Sequence, residues 1–406
     1  MSGIVGCGKT TMIQALLEEL QEKFEVFQFS GDDIKFRNSV SMDSNYLLQQ
    51  ILSKTQKRPF VFIDEVQKSE SIFDALKIAF DSHKISFIVS GSNPAYLASV
   101  AKKRLQRRAE HLYMLPLSLP EILFSEKIIP KDHLFFFQNI LLSSNKLDDI
   151  PKTELSLSEP ISTIANTYAT FGGLPLSYIA QEQTQKLTEI KLTVERGFDL
   201  FTVENNDASE VVKIELAQLH SKEFAYNNIF ARTRTNRRDT INKVINELIN
   251  HDYIVRKRPL LLKEHKSSYL SVFSYIDPGI VTYLTAEFGE NENRGFRIEG
   301  YIHARLDHFI KNASLKYELG YYKPHTIDKN DKVKYSPGEI DFILKKGNKI
   351  LPIEVKATDN IGQINTTHLT TFLKENKSAP FGIVLYGGVP YQDKKNNLLY
   401  WPYWLV

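Results

Sequence analysis

The sequence predicts an α/β protein with a doubly wound parallel sheet at its amino end. Three observations predict it. Gly3-Ile4-Val5-Gly6-Cys7-Gly8-Lys9-Thr10-Thr11 fits G-x-x-x-x-G-K-[ST], a phosphate-binding loop that opens a helix. Pro59-Phe60-Val61-Phe62-Ile63-Asp64-Glu65 is a continuous apolar run ending in two acids. Such a run marks a strand buried on both faces, with its carboxyl end at a ligand crevice. Helical and strand-like periods alternate around these stretches.

In chain order, residues 10–23 read as a helix, with Met12, Ile13, Leu16, Leu17 and Leu20 at helical spacing. Residues 24–29 read as a short buried strand, 46–54 as a helix, 59–64 as the central strand and 71–81 as a helix. Residues 85–89 form another apolar run, closed by Ser90-Gly91-Ser92-Asn93. A phosphate-binding loop ordinarily follows a buried strand, and only Met1 and Ser2 precede Gly3. The expectation is therefore either a strand further upstream or a core without its first strand.

The chemistry follows from residue type. Gly3, Gly6 and Gly8 let the backbone curl and turn its amides inward. With the positive end of the following helix, those amides cradle a polyanionic phosphate. Gly3, Gly6, Cys7, Gly8, Lys9, Thr10 and Thr11 are the nucleotide-binding candidates. Lys9 is expected to reach the β- and γ-phosphates and the Thr10 hydroxyl to ligate Mg²⁺. Asp64 would hold Mg²⁺ through water, and Glu65 would polarise the attacking water as general base. ATP and Mg²⁺ are the expected cofactors. Asn93 or Ser92 would sense the γ-phosphate, although an Asn there serves equally well as a helix cap. The basic run from Lys102 to Arg108 reads either as the source of an arginine acting on the γ-phosphate or as a solvated helical face.

Composition sets bounds. The 406 residues are 42% hydrophobic and 11% aromatic, enough for real cores in about two to four domains. A net charge of +3 gives no whole-chain argument for nucleic acid. The single cysteine, Cys7, excludes an internal disulfide and a Cys-rich metal site, and fits a reducing, cytoplasmic setting. Neither a membrane-spanning run nor a signal peptide is read, so no membrane partner is expected.

Residues 126–205 read as mixed helix and loop, with a surface loop over 143–160. Residues 214–219, 227–231 and 239–249 read as three short helices, and 251–255 and 269–275 as two strands. That order is the winged-helix arrangement. Residues 231–260 hold eight Lys or Arg against three acids. Arg232, Arg234, Arg237 and Arg238 precede the third helix, where contacts to DNA phosphates would be useful. A protein-docking role fits the same pattern.

Towards the carboxyl end, residues 297–310 read as a helix containing Glu299, and 316–322 as a strand. Gly338-Glu339-Ile340-Asp341-Phe342-Ile343-Leu344 and Ile350-Leu351-Pro352-Ile353-Glu354-Val355-Lys356 read as a hairpin. Glu354 and Lys356 are two apart and share a face. This is the D…ExK arrangement of the restriction-endonuclease-like fold. Asp341 and Glu354, with Glu299 as a third, would offer hard oxygens to Mg²⁺. Lys356 would orient the attacking water and offset charge on a phosphodiester in hydrolysis. A following helix holds His368, Thr370 and Thr371, residues 381–385 read as a core strand, and 400–406 as a terminal strand.

Taken together, the chain resembles prokaryotic AAA-type ATP-binding proteins whose carboxyl-terminal half was long catalogued only as a domain of unknown function. The resemblance is carried by the phosphate-binding loop, Phe62-Ile63-Asp64-Glu65-Val66-Gln67, Val89-Ser90-Gly91-Ser92, Leu115-Pro116-Leu117-Ser118-Leu119-Pro120-Glu121-Ile122 and Phe171-Gly172-Gly173-Leu174-Pro175. It covers nearly the whole chain. The expected organisation is an AAA-type P-loop ATPase core over 1–125, a helical connector over 126–205, a winged helix over 206–285 and a nuclease-like domain over 286–406. In that family a Gly-Arg pair precedes the Pro-Leu-Ser segment. Here the place reads Gln106-Arg107-Arg108, and Arg108 is the candidate. The implied function is Mg²⁺-dependent ATP binding and hydrolysis, coupled to a module that binds and cleaves DNA. The alternative is a catalytically degenerate ATP-binding scaffold that docks protein partners. Ring assembly among such relatives makes a homo-oligomer a further expectation.

Overall fold

A computed structural model describes residues 1–54, 57–83, 85–143, 146–150, 155–203, 207–233, 238–260, 271–287, 293–327, 333–335 and 338–406. The chain divides into two units. One comprises Met1–Pro116, Glu195–Phe201 and Asn246–Tyr253; the other comprises Leu117–Val194, Thr202–Ile245 and Ile254–Val406.

In the first unit three parallel strands, β1 (Glu25–Ser30), β2 (Pro59–Asp64) and β3 (Ser86–Val89), lie in the order β1-β2-β3. The apolar run of β2 serves two faces at once. Val61 and Ile63 pack with Phe36, Val40, Leu47 and Ile51, and with the helix Ser71–His83. Phe60 and Phe62 pack with Ile13 and Leu17 of the helix Lys9–Leu20. Only after Ile63 does the chain leave the core, so Asp64 and Glu65 emerge at the sheet's carboxyl edge. Ahead of the Gly-rich loop, Ser2 makes isolated parallel bridges to Gly91 and Tyr113. Its amide donates to the Leu112 carbonyl and its carbonyl accepts from Met114. The segments 195–201 and 246–253 belong to this unit and pack on each other through aromatic rings: those of Phe198 and Tyr253 lie 5.1 Å apart, and those of Phe201 and His251 4.9 Å apart.

In the second unit the helices Asp207–Gln218, Tyr226–Thr233 and Arg238–Asn250, the last of which continues into the first unit, precede an antiparallel pair, β4 (Ile254–Lys257) and β5 (Val272–Tyr275). Residues 269 and 270 of the expected second strand lie outside the described residues. Next come β6 (Glu318–Tyr322), β7 (His325–Ile327), β8 (Val333–Tyr335), β9 (Ile340–Lys346), β10 (Lys349–Val355), β11 (Gly382–Tyr386), β12 (Tyr391–Asp393) and β13 (Leu398–Pro402). The main sheet runs β12-β13-β11-β10-β9-β6. β9 and β10 form the expected hairpin, while β10, β11 and β13 are mutually parallel. Phe342, Leu344, Leu351 and Ile353 face Ile298, Ile302 and Leu306 of the helix Arg294–Asn312. Ile343, Val384 and Tyr400 face Leu369 and Phe372 of the helix Thr367–Glu375. The expected terminal strand over 400–406 is shorter: Pro402 ends β13, and Tyr403–Leu405 turn into a 3-10 helix, since proline cannot continue the ladder.

Two motif segments meet in this unit. The Leu117 amide donates to the Gly173 carbonyl at 2.8 Å, and the Tyr168 hydroxyl donates to the Leu117 carbonyl at 2.8 Å. Ser118 and Glu121 close a capping box on the helix Leu119–Ser125. Ser118→Ala is expected to cost about 1 kcal/mol in a denaturant melt; an unchanged midpoint would remove the box from the account of this corner.

Candidate functional site

The loop Gly3–Gly8 turns tightly because Gly6 (φ 74°) and Gly8 (φ 96°) take left-handed backbone, which side chains other than glycine resist. Gly8 is the N-cap of the helix Lys9–Leu20, so the positive end of the helix dipole lies at the loop, where it favours an anion. Lys9 is largely buried and folds back over the loop. Its Nζ donates to the Gly3 carbonyl at 3.0 Å and the Ile4 carbonyl at 2.9 Å. Cys7 is buried beneath it, and burial pushes its thiol above the ordinary range. Thr10 and Thr11 stand exposed on the first helical turn.

The Thr10 hydroxyl donates to Asp64 Oδ2 at 3.3 Å. The structure thus brings together the loop's hydroxyl and the carboxylate at the tip of β2. Asp64 Oδ1 accepts from the Ser90 hydroxyl at 2.5 Å and the Glu65 amide at 3.0 Å, which fixes the carboxylate's rotation. Thr10 and Asp64 offer adjacent hard oxygens, a donor set that suits Mg²⁺. Glu65 has φ 47°, a left-handed backbone that a non-glycine residue adopts at a cost of about 1–2 kcal/mol. Its Oε2 accepts from Gln67 Nε2 and, at 3.3 Å, from the Ser92 hydroxyl.

Other candidates are engaged elsewhere. Asn93 caps the helix Pro94–Arg104, its Oδ1 accepting from the Tyr96 amide at 3.0 Å. Ser92, not Asn93, is therefore the polar residue beside Glu65. Arg108 forms a bidentate pair with Asp81, at 2.7 and 2.9 Å. Arg234 and Arg237 lie outside the described residues, as does the side chain of Arg232. Arg238 opens its helix with its guanidinium 5.3 Å from the centre of the Tyr226 ring.

Near the carboxyl end, Lys356 Nζ pairs with Glu354 Oε1 at 2.6 Å. Burial raises the Glu354 carboxyl above its usual range despite that lysine. Burial works against the charge on Lys356, but Glu354 and Asp341 outweigh it and hold the amine above its ordinary value. Asp341 Oδ2 accepts from the Val355 amide at 2.7 Å. Glu299 is paired with Lys257, Nζ to Oε1 at 2.6 Å, and burial still pushes its carboxyl up to about 7. Among the described residues no three His, Cys, Asp or Glu side chains stand ready to hold a metal ion together. Lys257 is the residue that sequence reasoning missed. It sat within the run Arg256-Lys257-Arg258, counted only among the eight Lys or Arg of residues 231–260, yet β4 exposes Arg256 and buries Lys257.

Comparison with known proteins places names beside this geometry. Residues 1–123 match the family model of an AAA domain. Residues 294–405 match that of a domain of unknown function, DUF4143. No curated protein matches the chain. Among solved structures it is similar to a Walker-type ATPase of Pyrococcus abyssi, at 13% identity and a TM-score of 0.38, over 70% of this chain and 89% of that one. It is also similar to VC1899 of Vibrio cholerae, at 12% identity and a TM-score of 0.22, over 93% and 94%. A third is Can2 of Sulfobacillus thermosulfidooxidans, solved with cyclic tetra-adenylate, at 13% identity and a TM-score of 0.17 over 95% of each chain. No helix among the described residues is long and apolar enough to cross a membrane. The chain carries an AAA domain over residues 1–123 and a DUF4143 domain over residues 294–405.

Proposed function

We propose that the amino-terminal unit binds ATP with Mg²⁺ and hydrolyses it. The observation that carries this reading is the 3.3 Å contact between Thr10 and Asp64, at the mouth of a loop whose lysine is intact. When bound, Mg²⁺ neutralises charge on the β- and γ-phosphate oxygens. The protein's part is positional. The loop amides grip the phosphates, and Lys9 exchanges its two carbonyl partners for phosphate oxygens. Thr10 and Asp64 hold the ion, and Glu65 takes a proton from the attacking water. Ser92 and Gln67 hold the Glu65 carboxylate until the water arrives. Steady-state phosphate release tests the reading: Lys9→Ala is expected to abolish ATP turnover, and turnover equal to that of the wild type would reject the assigned loop.

We read the carboxyl-terminal domain as a nuclease-like module, with the winged-helix segment over 206–285 offering DNA contacts through Arg238 and its neighbours. What supports the first part is Glu354, a buried acid on β10 paired with Lys356 beside Asp341. The four-part division of the chain and the coupling of ATP to this module belong to the same proposal.

A further inference from the structure

Lys257, the last residue of β4, ends among acids that the sequence places on other elements. Its side chain is 1% exposed. Nζ lies 2.6 Å from Glu299 Oε1 and donates to the Asp341 carbonyl at 2.9 Å. It also stands 4.2 Å from the centre of the Phe342 ring and 5.8 Å from that of Tyr321. A buried ammonium is costly unless it is compensated. Here one carboxylate, one carbonyl and two aromatic faces compensate it. A lysine held in this way is part of the pocket rather than a surface charge that has folded inward.

On β10, Glu354 is 4% exposed, and its Oε2 has no hydrogen-bond partner among the described residues. Leaving a buried carboxylate oxygen without a donor costs free energy, and such an atom calls for a missing partner. Lys356 occupies the other oxygen. Asp341 is close enough to Glu354 and to Glu299 that its charge acts on both. The pocket therefore presents one unfilled acceptor, two neighbouring acids and a resident cation.

We propose that Glu299, Asp341 and Glu354 form a cryptic divalent-cation site that the ammonium of Lys257 masks, so that Mg²⁺ or Mn²⁺ enters only when Lys257 withdraws. This inference rests on the reading of these acids as cation ligands and adds the lysine that closes the site. A divalent ion on Glu299 would sit about 2 Å from the carboxylate oxygen, which brings it within a few ångströms of Nζ. Two cations at that separation in a poorly hydrated pocket repel strongly. Lys257 in turn cannot leave without stranding a buried carboxylate, so the masked state is the default.

The test is Mn²⁺ binding to the full chain without nucleotide, counted by electron paramagnetic resonance and calorimetry. It compares the wild type, Glu354→Gln, Lys257→Gln and the double variant. Ions held near Thr10 and Asp64 are common to all four and cancel in the differences. The wild type and Glu354→Gln are expected to bind Mn²⁺ alike. Lys257→Gln is expected to gain one Mn²⁺, at least about tenfold tighter than any wild-type binding there, and the double variant to lose it. Lys257→Met, with an apolar stem of similar length, replaces the glutamine variant should circular dichroism show that one unfolded. A Glu354-dependent Mn²⁺ in the wild type, as tight as in Lys257→Gln, overturns the mask and leaves the cation-site reading standing. A folded Lys257 variant with no added Mn²⁺ overturns that reading, and the mask falls with it.

Discussion

Glu65→Gln is expected to lower ATP turnover by about two to four orders of magnitude while nucleotide affinity stays within a few-fold of the wild type. The reason lies in how β2 ends. Asp64 is the last residue of the strand, and Glu65 follows with its backbone forced left-handed. That turn is unfavourable by itself, and it persists because the surroundings hold it: the Glu65 amide donates to Asp64 Oδ1, and the Val66 amide donates to the Ser90 carbonyl. Strain kept at a residue whose carboxylate points into a polar cluster suits a group that must take a proton at a fixed place. Glutamine keeps the size and one acceptor but cannot take the proton. Single-turnover phosphate release, with a nucleotide titration beside it, separates the two effects. If Glu65→Gln turns over at the wild-type rate, Glu65 is a structural residue at a strained corner and the base must be sought elsewhere.

The second large effect concerns stability. Asp277→Ala is expected to cost about 3 kcal/mol, because a helix cap and buried hydrogen bonds are lost together. Asp277 is fully buried and caps the helix Pro278–Thr285. Its Oδ1 accepts from the Gly279 amide at 2.8 Å and its Oδ2 from the Gly173 amide at 2.7 Å. Gly172, at φ +67°, leaves the room: a Cβ there would stand 1.8 Å from Oδ1. Burial nonetheless outweighs these donors and lifts the carboxyl from 3.8 to about 6. A carboxyl whose folded pKa lies above its unfolded one adds stability that is fully present below about 3.8. That stability is lost as pH rises through about 6. The gap between wild type and Asp277→Ala should therefore be wider at pH 4 than at pH 7, by about 2–3 kcal/mol. Urea melts of both proteins at the two pH values measure it. A gap that widens towards pH 7 would mean that the ionised form is the better accommodated one.

What the sequence made legible was local and periodic. The four apolar residues of β2 declared a strand buried on both sides, and the packing of Val61 and Ile63 against one face and Phe60 and Phe62 against the other bears this out. The spacing of loop lysine, hydroxyl and strand-end acid was likewise readable, and Thr10 does meet Asp64. What stayed hidden depends on contacts far apart in the chain. Lys257 looks like its neighbours Arg256 and Arg258 until the pleat of β4 turns it inward to an acid 42 residues away. Asn93 has one side chain for two roles, and only the backbone geometry at Tyr96 shows that it caps. The pairing of the Phe198 and Tyr253 rings brings together segments far apart in the chain, which no local period encodes.

The central claim is that Lys9, Thr10 and Asp64 grip a magnesium nucleotide. A crystal structure of the full chain grown with Mg²⁺ and a non-hydrolysable ATP analogue tests it most directly. The expected result is nucleotide phosphate in the loop, Lys9 Nζ released from the Gly3 and Ile4 carbonyls onto phosphate oxygens, and the Thr10 hydroxyl on the metal. A loop without nucleotide at saturating ligand, with Lys9 still bonded to those two carbonyls, would contradict the account.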